Sequence, residues 1–142
     1  MAGLHHHAYV WLGSADVLVK PGDAHRRPNH PEFRSAQVMP LECADWLLKP
    51  ASRIETTFDE PKEGADWYAG QLAQYAGLFV GSYAGDVPYE ETVRALSAGE
   101  DRVGGWWVSG GRFLSLNLIA CSPHRVRLDY ACPVVHVRGG SA

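Results

Sequence analysis

Glu63 to Tyr83, EGADWYAGQLAQYAGLFVGSY, is the stretch from which the fold class is read. Its large apolar and aromatic side chains fall at Tyr68, Leu72, Tyr75, Phe79 and Tyr83, with the spacing of one helical face. Ala73, Gly77 and Gly81 form a second stripe of small residues, where a neighbouring backbone could approach closely. Each glycine inside a helix costs about 1 kcal/mol relative to alanine, so tertiary packing has to hold this one. The stretch predicts one long helix over 63–83. Asp59 and Pro61 suit its start, a side-chain acceptor followed by a residue with preset φ.

Strands are predicted on both sides of it. His7 to Leu12, HAYVWL, reads as a strand, Gly13 to Asp16 as a turn and Val17 to Val19 as a returning strand. Lys20 to Ser35 carries Pro21, Pro28 and Pro31 and reads as a long irregular loop. Leu41 to Leu48 reads as a short helix stopped by Pro50, and Ser52 to Phe58 alternates like a half-buried strand. After Gly85-Asp86, Pro88 opens a shorter helix that Gly99 ends. The remainder predicts an antiparallel meander: Trp106 to Val108, Arg112 to Cys121 and Arg125 to Tyr130, with Val134 to Arg138 a candidate fourth strand. The expected fold is therefore α+β, with one long and one or two short helices on one face of an antiparallel sheet.

Length and composition suit one globular domain. The chain has 142 residues, 46% of them hydrophobic and 20% charged. No apolar run approaches the roughly 18 residues that a membrane span needs, so no membrane partner is expected. The start, MAGLHHHAYVWLG, lacks the basic region and apolar core of a signal peptide, and a cytoplasmic location is expected. Ten Arg against three Lys, with two Ile and two Asn, is the usage of a GC-rich bacterial genome or one of its phages. Net charge of −3 argues against a general nucleic-acid binder. The charge is unevenly placed: Glu55 to Asp66 is acidic, and the region after Val103 carries Arg112, Arg125, Arg127 and Arg138 against one acid, Asp129.

Four groups of residues could carry chemistry. On a strand, His5 and His7 point the same way, so they could give two ligands to one metal, with His30 a third. This H-x-H pair, followed by Pro21-Gly22-Asp23 and a later histidine, resembles the metal site of cupins, although the acid that follows the pair in that family is missing. The pair is also similar to that of rolling-circle nucleases, whose tyrosine motif has a following lysine where Gln71 and Asp86 stand here. The alternative expectation is a small metal-dependent enzyme or ligand-binding domain using His5, His7 and His30. The simpler reading is a set of surface histidines that bind no metal needed for folding, and no cofactor is expected.

Cys121-x-x-His124 and Cys132-x-x-x-His136 are zinc-type ligands in two pairs. The predicted strand between them separates the pairs, so buried cysteines are the preferred reading. Cys43 sits beside Glu42 and Asp45, which disfavour a thiolate, and reads as structural. With three cysteines and no framework spacing, reduced thiols are expected.

The fourth group is the outward face of the meander. If Leu114, Leu116 and Leu118 face the core, Phe113 and Asn117 face away, beside Arg125 and Arg127 on the next strand. No second long helix remains to cover that face. The expected function is therefore a non-catalytic protein-interaction domain (immunity- or antitoxin-like, an adaptor or a phage assembly component). Phe113, Asn117, Arg125 and Arg127 would bind an acidic partner surface. A homo-oligomer is compatible with this reading.

Overall fold

A computed structural model describes residues 3–19, 24–80 and 87–134. Among these, four strands form one antiparallel sheet: β1 (His5–Ser14), β2 (Thr56–Phe58), β3 (Arg102–Val108) and β4 (Arg112–Cys121), in the order β2-β1-β4-β3. Three α-helices accompany it: α1 (Ala15–Val19), α2 (Pro61–Gln74) and α3 (Tyr89–Ser97). The class is α+β, as the sequence predicts.

The two long central strands organise the molecule. β1 and β4 run antiparallel over ten residue pairs, from His5 opposite Cys121 to Ser14 opposite Arg112. Strand alternation then sorts their side chains onto two faces. One face presents Ala8, Leu114, Leu116 and Leu118 to Tyr68 and Leu72 of α2 and Leu96 of α3. The Tyr68 hydroxyl donates to the Leu116 carbonyl at 3.0 Å, so this ring is buried without an orphaned oxygen. Each fully buried leucine here stabilises the fold by roughly 1.5–3 kcal/mol.

The opposite face is covered as well. Tyr9, Trp11, Ile119 and Cys121 pack against Leu18 of α1 and against Val38, Trp46 and Leu47 from the irregular segment between α1 and β2. Trp46, in the 3-10 turn Cys43–Leu48, stacks on Tyr9 with ring centroids 4.8 Å apart. Backbone groups in this layer lack a ladder, and long side chains satisfy them instead. Lys49 Nζ donates to the carbonyls of Phe33 and Ala36 at 2.7 and 2.8 Å, and the Arg53 guanidinium donates to Ala36 and Gln37.

Several expected boundaries are corrected. No N-terminal hairpin forms: residues 15–19 are helix α1, and the Ser14 hydroxyl accepts the Val17 N–H, as a helix cap does. The place beside β1 goes to β4 on one side and β2 on the other. The middle strand shrinks to Thr56–Phe58 because Ala51–Arg53 forms a 3-10 turn. The long helix stops at Gln74. A 3-10 turn spans Ala76–Leu78, and Phe79 then bridges to Val108, where the Ser109 N–H donates to the Leu78 carbonyl. A β-type contact at the edge of β3 thus replaces the last helical turns. Gly77 has nothing near the position of a Cβ, so the small stripe is not a close approach, and Gly81 and Tyr83 lie outside the described residues.

The meander ends after two strands. Beyond Cys121 the chain turns, and His124 Nδ1 accepts the N–H groups of both Val126 and Arg127. Those donors are what a third strand would need. Val126 and Leu128 stand in solvent, and Val134 lies in a bend, with residues 135–138 outside the described range.

Candidate metal centre

The β1–β4 register brings His5 and Cys121 directly opposite one another. His7, two residues along, shares their face, and all three are buried. The fourth residue arrives from the irregular chain after β4, and two anchors return that segment over the sheet. His124 Nε2–H donates to Asp101 at 2.9 Å, while the other oxygen of Asp101 accepts the Ala120 N–H. The Tyr130 hydroxyl donates to Asp45 at 2.7 Å. Cys132 then lies against His5 and His7, half-buried.

The four ligand atoms of His5, His7, Cys121 and Cys132 all fall within 4.8 Å of one another. The two Nε2 atoms are 3.2 Å apart, and Cys132 Sγ is 3.7 Å from that of His5 and 3.5 Å from that of His7. Zinc bonds of about 2.0–2.1 Å to nitrogen and 2.3 Å to sulfur put tetrahedral ligand atoms about 3.3 Å (N to N) and 3.6 Å (N to S) apart. The three separations among His5, His7 and Cys132 match that geometry, and the Cys121 sulfur lies within 4.8 Å of all three.

The outer nitrogens are also held. His5 Nδ1–H donates to the Gly3 carbonyl at 2.8 Å, and a carbonyl can only accept, so the Nε2 of His5 presents its lone pair. His7 Nδ1 meets the Thr57 hydroxyl at 2.8 Å, which accepts from it when Nε2 turns to a metal. Burial, reinforced by His5 and His6, lowers the His7 pKa to about 4, so the ring is neutral and able to ligate at physiological pH. Burial, with the neighbouring Cys132, pushes the Cys121 thiol up to about 12. A metal bound here would therefore displace a proton from that sulfur. His6 points to the other face, where Nε2–H donates to the Glu100 carbonyl.

The geometry joins two residues from each metal set suggested by the sequence. His5 and His7 come from one, and Cys121 and Cys132 from the other. His30 is elsewhere, its ring 4.4 Å from that of His25 and its Nδ1 accepting the Glu32 N–H. His124 is engaged with Asp101, and His136 lies outside the described residues, as do Pro21, Gly22 and Asp23. Cys43 is not in the cluster, and burial with nearby acids raises its pKa.

The four residues expected to bind a partner do not share one exposed face. Asn117 is 2% exposed, and its amide donates to the Tyr9 carbonyl and the Ser115 hydroxyl. Phe113 is half-buried, packed on the second core and edge-on to Trp107 at 5.0 Å. The irregular layer around Trp46, with Leu18 of the short helix α1, supplies the cover that no long helix does. Arg125 is exposed and Arg127 partly exposed, on the turn segment rather than a strand, and they pair with Glu100 and Glu42 at 3.2 and 3.1 Å. Comparison with protein-family models, with curated proteins and with solved structures gave no match.

Proposed function

We propose that this chain is a metal-binding domain in which His5, His7, Cys121 and Cys132 hold one divalent ion of zinc's class in a structural, non-catalytic role. The observation that carries this is the convergence of two nitrogens and two sulfurs within 4.8 Å of one another in a largely buried site. Mixed imidazole and thiolate ligands suit zinc and other borderline-soft ions rather than magnesium or calcium. Two thiolates cancel the charge of a divalent ion, which removes most of the cost of burying it. All four positions are filled by protein, the pattern of structural rather than catalytic sites. The ion would tie the start of β1 to a residue 127 positions later and close the end of the sheet.

Such a domain would act through its surface. Of the four residues expected to bind an acidic protein partner, Arg125 and Arg127 remain at the surface, with Phe113 half-covered beside Trp107 and Asn117 inside the fold.

The test is the metal content of untagged protein purified without a nickel resin. The expected result is about one zinc per chain, lost in Cys121→Ala and His7→Ala and kept in His30→Ala. Folded protein that carries no metal and takes up none when zinc is added, or zinc that survives loss of Cys121, would overturn the proposal.

A further inference from the structure

We infer that this centre is also a thiol redox switch, in which a peroxide joins Cys121 to Cys132 as a disulfide and the ion leaves. The inference rests on the metal reading above and adds a regulation to it. Three observations support it. Both sulfurs belong to one site, with the ligand atoms all within 4.8 Å, so the two thiols are already neighbours. Their exposure differs: Cys121 is fully buried and Cys132 is partly open, so an oxidant reaches Cys132 first. Cys43, the third thiol, stands outside the cluster and leaves the pair to react with each other.

The chemistry balances. Metal binding keeps the sulfurs as thiolates, the nucleophilic form. The Cys132 thiolate attacks one peroxide oxygen and the O–O bond breaks. With one proton this gives a sulfenic acid on Cys132 and one water. The Cys121 thiolate then attacks the Cys132 sulfur and the S–O bond breaks. With a second proton this forms the disulfide and a second water. Both sulfurs are oxidised and the peroxide is reduced. The ion keeps two imidazoles and loses both anionic ligands, which is too few to retain it.

The two states differ in what they connect. The ion links β1, β4 and the segment carrying Cys132. The disulfide links only Cys121 and Cys132, eleven positions apart in one stretch of chain. Oxidation would therefore free the start of β1 from the C-terminal segment while leaving the rest of the sheet paired.

The experiment titrates zinc-loaded full-length chain with hydrogen peroxide. Released zinc is read with a chromogenic chelator and the protein by mass spectrometry. The expected result is one zinc released per chain, with loss of two hydrogens, a peptide linking Cys121 to Cys132, and recovery on adding a thiol reductant and zinc. Cys43→Ser should behave as the unsubstituted chain. Zinc retained after the disulfide forms, or release only with sulfinic or sulfonic products or a Cys43 linkage, would overturn the switch and leave the metal site standing. A chain that carries no zinc before peroxide is added would remove both.

Discussion

His5 and Cys121 are Cα partners at the end of the β1–β4 ladder, so the first described strand and the last meet at one point on one face. His7 lies on that face and Cys132 closes over it. Three of the four proposed ligands are therefore placed by the longest strand pair in the sheet. Metal binding there would be coupled to the pairing of segments far apart in sequence.

The first consequence is thermal. A ligand present at a hundred to a thousand times its Kd stabilises the native state by about 2.7–4.1 kcal/mol. At this chain length that is a Tm shift of about 5–15 °C. Chelator should lower the melting temperature by that amount, and added zinc should restore it. Scanning calorimetry with and without chelator makes the check, and identical transitions would count against a structural ion.

Thr57 supports the proposed site without being one of its ligands. Its hydroxyl meets His7 Nδ1 at 2.8 Å and holds the ring so that Nε2 faces the sulfurs. Thr57→Val keeps the shape and removes that oxygen. Zinc affinity should fall about 10- to 100-fold, measured by competition with a chelator of known affinity. Thr57→Ser should recover most of it.

Acid should destabilise the metal-free fold. His7 has a folded pKa of about 4 against an ordinary 6.5, and burial lowers His6 as well. In that window the unfolded chain binds more protons than the folded one, so stability rises with pH. The contribution is fully present above about pH 6.5 and is lost as pH falls through about 4, with an upper limit of ~3 kcal/mol for His7. Urea midpoints measured in chelator across that range should fall with pH, and less steeply in His7→Gln.

How far the site was legible follows from ranges of interaction. Tyr68 and Leu72 were readable as core because helical spacing is local, and both are buried under α2. The end of that helix was not, because the Phe79–Val108 bridge depends on a strand residue 29 positions away. The pairing of His5 with His7 could be read from strand alternation alone. Their pairing with Cys121 could not, since it depends on the register of strands more than a hundred residues apart. Alternation at Val126, Leu128 and Tyr130 suggested a strand, but His124 takes the backbone donors that a strand would use.

The layer over the site depends on Lys49. Its buried ammonium donates to Phe33 and Ala36 and lies 4.3 Å from the centre of the Phe33 ring. Lys49→Met fills similar space but leaves two carbonyls without that donor. The expected cost is about 2–4 kcal/mol in chemical denaturation. By contrast, Arg125→Glu with Arg127→Glu breaks only surface pairs and should leave the denaturation midpoint nearly unchanged. That double variant should retain its zinc, and it separates partner binding from folding.

The most direct measurement is zinc K-edge X-ray absorption on untagged, zinc-loaded protein. The predicted spectrum has two sulfur scatterers at about 2.3 Å and two nitrogen scatterers at about 2.0–2.1 Å, with the outer-shell features of imidazole. Cys132→Ser should reduce the sulfur count to one. A first shell of nitrogen and oxygen alone would place the ion on histidines without the cysteines, and would contradict the Cys121–Cys132–His5–His7 centre.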